Sequence, residues 1–352
     1  MFVKLDPGFF LFFLCTIVGT VIGVFASSPV GLWFAMEVNF FGAVSLFSGK
    51  SSAETDSTMK YFMSQALGSG LLFMGILLSL SSFVELSSGL MGVFGGIFLL
   101  MGFNMKIGLF PFHFWVPSVM SGCTWVNCFV LSSWQKILPI WLISGMGLGG
   151  NLFNILAVCC VITALVGGIG GLGQVYFRPL IGYSSLVHSG WMVLLAVVSF
   201  FSIVVYLVVY SIILLGLLYS LSLSHSYCLQ HIPGLFVNGS KNSFWIWIGV
   251  YFLSLGGLPP FFGSILKILG VFNLSSCMPL ALMFLIASSL ISLFYYLNMF
   301  FNFSLSLGGS KLSLSVEKFS YQKFSDFLAF SSVGVNIGMS ALFILLGYWF
   351  WL

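Results

Sequence analysis

Long apolar runs dominate this chain, and short polar or Gly/Pro-rich segments separate them. About 20 apolar residues are enough to cross the hydrocarbon core of a bilayer as one helix, so each run predicts a membrane span. The pattern predicts eleven spans, at residues 9–26, 29–47, 59–83, 86–116, 122–143, 152–172, 180–200, 203–227, 244–274, 278–303 and 326–351.

The composition agrees with a membrane protein. The chain has 60% hydrophobic residues, 5% charged residues and a mean hydropathy of +1.15, whereas soluble domains carry about 25% charged residues. We therefore predict a single all-α polytopic membrane domain over residues 1–352, surrounded by the lipid bilayer and without a nucleic-acid partner.

Basic residues mark one side of the predicted topology. The side that holds the N-terminus and the connections after even-numbered spans carries Lys4, Lys50, Lys60, Arg178, Lys241, Lys311, Lys318 and Lys323, and the opposite connections carry no basic residue. The positive-inside rule therefore places the N-terminus on the cytosol-equivalent side, which is the matrix in a mitochondrion.

Two predicted spans, 86–116 and 244–274, are too long for simple helices. Each has 31 residues, which is roughly 46 Å of helix against a hydrocarbon core of about 30 Å. Both contain prolines, which remove helix hydrogen bonds, so we predict two broken helices. Broken helices at corresponding positions are typical of inverted-repeat transporters. The repeats would cover residues 9–143 and 152–303, followed by a C-terminal helix at 326–351.

Ionisable residues inside the spans are the candidate functional groups, because charge at membrane depth is costly. They are Glu37, Lys106, Lys136 and Lys267, with His188 as a further titratable group. Other interpretations remain open at this point. Lys106 and Lys267 would also suit side chains that reach the membrane surface. Glu37 and Lys136 would suit a static ion pair, and His188 a packing residue.

Several motifs follow one another along the chain: WFAMEVN at 33–39, KIGLFPFHFWVP at 106–117, WQKILP at 134–139, GGIGGLGQ at 167–174 followed by Arg178, YSSLVHSGW at 183–191 and LGGLPP at 255–260. Together they resemble the chain 2 family of NADH-ubiquinone oxidoreductase, mitochondrially encoded antiporter-like subunits of respiratory complex I. The resemblance implies an all-helical antiporter-like bundle in the mitochondrial inner membrane, with eleven spans in animals. Its partners would be the other membrane-arm subunits of the complex.

The resemblance also implies an activity and the residues that carry it. The activity is proton translocation coupled to electron transfer from NADH to ubiquinone, as a subunit of a H⁺-translocating NADH:ubiquinone reductase. No redox chemistry and no cofactor are expected in this chain, because NADH, FMN, iron–sulfur clusters and ubiquinone act elsewhere in the complex. By position in the motifs, Glu37, Lys106, Lys136, His188 and Lys267 would form the proton relay. The chain departs from the family where an acid usually follows the Trp-Val-Pro motif, because it has Ser118 there.

Three functional hypotheses follow. The first is the proton-translocating subunit, the second a free-standing cation/proton antiporter, and the third a structural membrane subunit. A dinucleotide loop at 167–173 is rejected because no strand precedes it. The seven cysteines have no metal-type spacing, so we predict no zinc site. An Arg-rich presequence is absent before the first span, which agrees with synthesis inside the organelle.

Overall fold

The structure, a computed structural model, describes residues 7–49, 51–84, 89–146, 150–224, 227–228 and 242–309, together with 334, 336 and 338. The helices are α1 Pro7–Phe25, α2 Pro29–Phe47, α3 Ser52–Val84, α4 Gly89–Ile107, α5 Trp115–Gly122, α6 Trp125–Phe129, a π-helical turn Val130–Trp134, α7 Gln135–Gly145, α8 Gly150–Gly171, α9 Phe177–Val198, α10 Phe200–Ser224, α11 Asn242–Gly256, α12 Ser264–Cys277 and α13 Pro279–Gly309.

Helices occupy each of the first ten predicted spans, with α4–α5, α6–α7 and α11–α12 each filling one of them. Within the described residues, eight stretches are long and apolar enough to cross a membrane as single helices, among them α6–α7 taken together. The eleventh span, 326–351, lies outside the described residues except for 334, 336 and 338, which are helical. The all-α polytopic fold is therefore confirmed, and the count of eleven stays a prediction.

Both broken helices are present, and both breaks begin at a glycine. Gly108 follows α4 with φ +82°, and Gly257 follows α11 with φ +71°. In each case the amide two residues beyond the helix bonds a carbonyl five residues back, from Leu109 to Asn104 and from Leu258 to Leu253. This is the usual way in which a left-handed glycine ends a helix. Pro111 and the Pro259–Pro260 pair lie in the irregular segments that follow, so glycine ends the first half-helix and proline prevents it from continuing.

Several predicted boundaries were wrong, and the physical reason is clear for two of them. The second half of the first broken span does not end at residue 116, because α5 continues to Gly122. Pro117 is the third residue of α5, where an amide needs no partner within the helix. Helix α3 begins seven residues earlier than predicted. The hydroxyl of Ser51 accepts from the amide of Glu54, and the Glu54 carboxylate accepts from the amide of Ser51, which forms a capping box.

Helix α9 lies at the centre of the bundle. It packs against α5, α7, α8, α10, α12 and α13. In its most apolar stretch, 83% of the residues are buried. Small residues allow these close contacts. A Cβ on Gly182 would lie 3.0 Å from the Cα of Pro117, and one on Gly190 would lie 2.7 Å from the carbonyl oxygen of Cys160. Glycine at helix contacts is how membrane helices approach one another closely. Side chains on α9 can therefore meet those of both halves of the chain.

Candidate functional site

The Glu37 carboxylate and the Lys106 ammonium form an ion pair near the middle of α2 and the end of α4. The Lys106 Nζ lies 3.0 Å from the Glu37 Oε1, and the two side chains are 4% and 15% exposed, respectively. Lys106 is in the last turn of α4, where the helix dipole favours a cation. Because its charged end contacts an acid inside the bundle, the interpretation of Lys106 as a side chain reaching the membrane surface is wrong.

A small polar cavity lies beside this ion pair. The space open to the centre of a water molecule is about 10 Å³, which corresponds to roughly one water site. Two of its polar side chains bond each other, since the Gln135 Nε2 donates to the Asn39 Oδ1 at 3.0 Å. A third, Gln65, donates to the main-chain oxygen of Lys106 at 3.3 Å. The cavity therefore connects the ion pair with the start of α7, and it is lined by Met36, Asn39, Phe40, Gln65, Lys106, Gln135, Leu138 and Pro139.

Lys136 follows Gln135 in α7, in a distorted part of its predicted span. The π-helical turn Val130–Trp134 precedes it and Pro139 follows it inside α7. π-helical turns are frequent at functional sites, and they change the direction in which the next side chains point. The Lys136 Nζ donates to the main-chain oxygen of Ser185 on α9 at 2.8 Å. Within the described residues it has no carboxylate within 4 Å, and there it forms no ion pair.

His188 lies on α9, one turn beyond the carbonyl that Lys136 contacts. A hydrogen bond of 2.9 Å joins its Nδ1 to the hydroxyl of Tyr206 on α10. The ring is 4% exposed, and it is close enough to Lys136 and Lys267 for both charges to act on it. The structure therefore places this histidine within electrostatic range of both lysines.

Lys267 belongs to α12, beyond the second break. Its Nζ donates to the main-chain oxygen of Gly256, the last residue of α11. The side chain thereby crosses the break and passes directly over Gly257. A Cβ added to that glycine would lie only 2.7 Å from the Lys267 Cδ. A cation at the C-terminal end of a half-helix bonds a carbonyl that the break has left without its helical partner. Lys267 is thus fixed to the break and does not simply extend toward the membrane surface.

Sequence reasoning missed the neutral polar groups around these charges. The amides of Asn39, Gln65 and Gln135 lie within apolar runs, and that position was the available signal. The buried tyrosines beside His188 gave none, because tyrosine counts as apolar in a hydropathy profile. Ser118, at the position where the family usually has an acid, donates its hydroxyl to the carbonyl of Trp115 one turn earlier.

The fold and the site together define a class of protein. The two broken helices and their neighbours α2, α7 and α9 contribute ionisable side chains to a helical membrane bundle. Lys106, Lys136 and His188 are buried there, and Glu37 and Lys267 are half-buried. Within the part of the chain that the structure covers, no three His, Cys, Asp or Glu side chains are grouped as metal ligands. These features describe an antiporter-like, ion-translocating membrane protein.

Comparison with known proteins gives the family. Residues 26–292 match the family described as NADH:quinone oxidoreductase/Mrp antiporter, TM. The chain is 34% identical over 284 residues to NADH-ubiquinone oxidoreductase chain 2 of Lumbricus terrestris, covering 80% of this chain and 82% of the relative. It is 30% identical over 316 residues to the same protein of Anopheles gambiae, covering 89% and 87%. The chain belongs to the NADH-ubiquinone oxidoreductase chain 2 family.

A solved structure supports the fold independently. A chain of respiratory complex I from Thermus thermophilus, determined with bound aureothin, superposes with a TM-score of 0.75 at 19% identity. The match covers 96% of this chain and 78% of the other. At this identity the likeness concerns the fold, and it agrees with the antiporter-like bundle expected from the sequence.

Proposed function

We propose that the chain is the antiporter-like subunit of mitochondrial complex I that moves protons across the inner membrane, through Glu37, Lys106, Lys136, His188 and Lys267. NADH, FMN, the iron–sulfur clusters and ubiquinone act in other subunits, and the other membrane-arm subunits are its partners. The observation that carries the proposal is a set of three interior contacts: the Glu37–Lys106 ion pair, the bond from Lys136 to the Ser185 carbonyl and the bond from Lys267 to the Gly256 carbonyl at the second break.

The ion pair provides a means of controlling one proton. A carboxylate beside an ammonium favours its protonated form, so separating Glu37 from Lys106 favours release to the next carrier. Two unit charges about 4 Å apart interact by about 4 kcal/mol at an effective dielectric constant near 20. Moving one charge through 100 mV costs roughly 2.3 kcal/mol. A change in one buried ion pair is therefore of the size needed to drive transfer against the membrane potential.

The direction of transport depends on the orientation of the chain, and we propose that the N-terminus faces the matrix. Arg178 is the second residue of α9, and Lys60 lies near the start of α3. Both helices begin at the end of the bundle where α2 finishes. The positive-inside rule supports the assignment of this end to the matrix.

The test is Lys136→Met in the assembled complex. The variant removes the titratable group but keeps a long side chain, so we expect normal assembly. The proton-to-electron ratio of the complex should fall, because this subunit no longer moves protons. Lys60→Met is the matched control, because Lys60 is exposed on α3. Proteoliposomes that contain the purified complex would report proton uptake for each NADH oxidised. An unchanged ratio for Lys136→Met would favour a structural subunit.

The free-standing antiporter is the second candidate, since the matched family also includes Mrp antiporters. The two candidates differ in what the isolated chain does. An antiporter would exchange cations for protons in liposomes without partners, whereas the proposed subunit would be active only within a large NADH-oxidising assembly.

A further inference from the structure

Helices α10 and α13 place four tyrosines in the interior, and two of them lie against His188. They are Tyr206, Tyr210, Tyr295 and Tyr296, each 3% exposed or less. We call them the tyrosine cluster. Tyr206 bonds the His188 Nδ1 at 2.9 Å, and the ring centroid of Tyr210 lies 4.9 Å from that of His188. The rings of Tyr295 and Tyr296 meet edge to face at 4.5 Å.

The hydroxyls of the cluster lie close to one another. Those of Tyr210 and Tyr296 are near enough to the Tyr206 hydroxyl to interact with it electrostatically. Ser132 lies beside the hydroxyl of Tyr210, and Ser184 beside that of Tyr296. Ser184 is adjacent in sequence to Ser185, the residue whose carbonyl binds Lys136. The cluster is therefore next to the Lys136 contact as well as to His188.

Three of these hydroxyls need further partners. Within the described residues, the hydroxyls of Tyr210, Tyr295 and Tyr296 are buried without a hydrogen bond of good geometry. A buried hydroxyl without a partner costs about 1–3 kcal/mol, and water commonly completes such groups in protein interiors. Several such groups close together at membrane depth favour a small hydrated path over simple packing.

The far end of the cluster reaches the second break. A Cβ on Gly256 would lie 3.4 Å from the Cδ2 of Tyr296, so this ring packs on the Gly256 backbone. The carbonyl of the same residue accepts from the Lys267 Nζ. Tyr296 therefore lies beside the peptide that holds Lys267, so the tyrosine cluster contacts His188 through one member and the second break through another.

We propose that the tyrosine cluster carries protons between His188 and Lys267, with Tyr206 as the first carrier. In the direction from His188, the N–H bond of the protonated ring breaks and a new O–H bond forms on the Tyr206 oxygen. At the same time the original Tyr206 hydroxyl proton passes to the next oxygen, that of a water held by Tyr210 and Tyr296. Tyr206 stays neutral throughout. The water releases one of its own protons to the neutral amine of Lys267, so that the His188 ring ends neutral and Lys267 ends protonated. This inference rests on the proposed function and adds residues to the relay.

The test is Tyr206→Phe in the assembled complex, which removes one oxygen and keeps the ring. We expect turnover of coupled NADH oxidation to fall by about 10-fold, less than the roughly 10²-fold that loss of a positioned acid or base costs, because water can replace part of the path. The solvent deuterium isotope effect on that turnover should rise, since proton transfer becomes limiting. A residue that only fills space would change neither quantity.

Tyr183→Phe is the matched control. Tyr183 lies on α9 and packs on Gly170, and its hydroxyl is not part of the proposed path, so its variant should keep turnover and isotope effect. If Tyr206→Phe behaves like this control, the inference is wrong. If Tyr206→Phe does not assemble, Tyr296→Phe decides by the same two measurements. Lys136→Met separates the two hypotheses: normal coupling in that variant overturns the proposed function, whereas lost coupling there with a normal Tyr206→Phe variant overturns only the tyrosine path.

Discussion

At the scale of single residues, the buried lysines are stabilised in different ways. Lys106 contacts the carboxylate of Glu37, whereas Lys136 and Lys267 each contact a main-chain carbonyl. An opposite charge stabilises an ammonium strongly, and a single carbonyl dipole stabilises it less. Moving one side chain, that of Glu37, can therefore change the stabilisation of Lys106 greatly, whereas Lys136 and Lys267 have no such side-chain partner among these contacts. This makes the Glu37–Lys106 ion pair the natural point of control in the proposed relay.

Removing one partner of that ion pair should affect assembly more than removing both. In Glu37→Gln the Lys106 ammonium loses its counter-ion, and breaking a buried pair costs up to about 3–5 kcal/mol. We expect less assembled complex for Glu37→Gln, and recovery when Lys106→Met is added. Native gels measure the amount of complex, and proteoliposomes measure the proton-to-electron ratio.

The double variant also separates a functional pair from a structural one. In the proposed relay, assembly recovers while the proton-to-electron ratio stays low. A double variant with a normal ratio would show that the ion pair only supports the fold.

At the scale of secondary-structure elements, the two breaks are alike in their glycines but differ in their lysines. Gly108 and Gly257 have similar positive φ values and end their half-helices in the same way. Lys106 lies two residues before its glycine, whereas Lys267 lies ten residues after its own and folds back over it. The second break therefore depends on a side chain from the following half-helix.

Gly257→Ala should disturb Lys267 in particular. Alanine at a left-handed position costs roughly 1–2 kcal/mol, and its Cβ would lie 2.7 Å and 2.8 Å from the Lys267 Cδ and Cε. We expect the complex to assemble with a reduced proton-to-electron ratio. Gly150→Ala is the control, because nothing lies within 4 Å of its added Cβ. Equal ratios in the two variants would show that the position of Lys267 is unimportant for coupling.

At the scale of the whole molecule, the direction of each span sets the side on which each connection emerges. With the N-terminus in the matrix, the end of α12 faces the intermembrane space. Cys277 is the last residue of α12 and is exposed, whereas the other six cysteines are buried or half-buried. It is therefore a native probe of the proposed orientation.

A membrane-impermeant maleimide should label Cys277 from the outer surface of mitoplasts and not from the outer surface of inverted vesicles, which expose the matrix face. The Cys277→Ser variant supplies the background, since it should lose this label. Labelling from the matrix side alone would reverse the proposed orientation. Mass spectrometry of the labelled peptide identifies the modified residue.

Local features of the sequence were sufficient for much of this description. Hydropathy places the described helices in a membrane, since a span of apolar residues needs no information about its neighbours. The breaks near Gly108 and Gly257 were predicted because length and proline act within one segment. The candidate groups Glu37, Lys106 and Lys136 were found because each is a charge in an apolar run.

Which groups meet was decided by the tertiary structure. Glu37 and Lys106 are 69 residues apart, and Lys136 and Ser185 are 49 apart. Their contacts depend on the rotation and register of whole helices, which close packing at residues such as Gly182 controls. The role of tyrosines such as Tyr206 was hidden for the same reason. A hydroxyl on an apolar ring is ordinary in one helix and becomes a candidate carrier only where another helix places a histidine beside it.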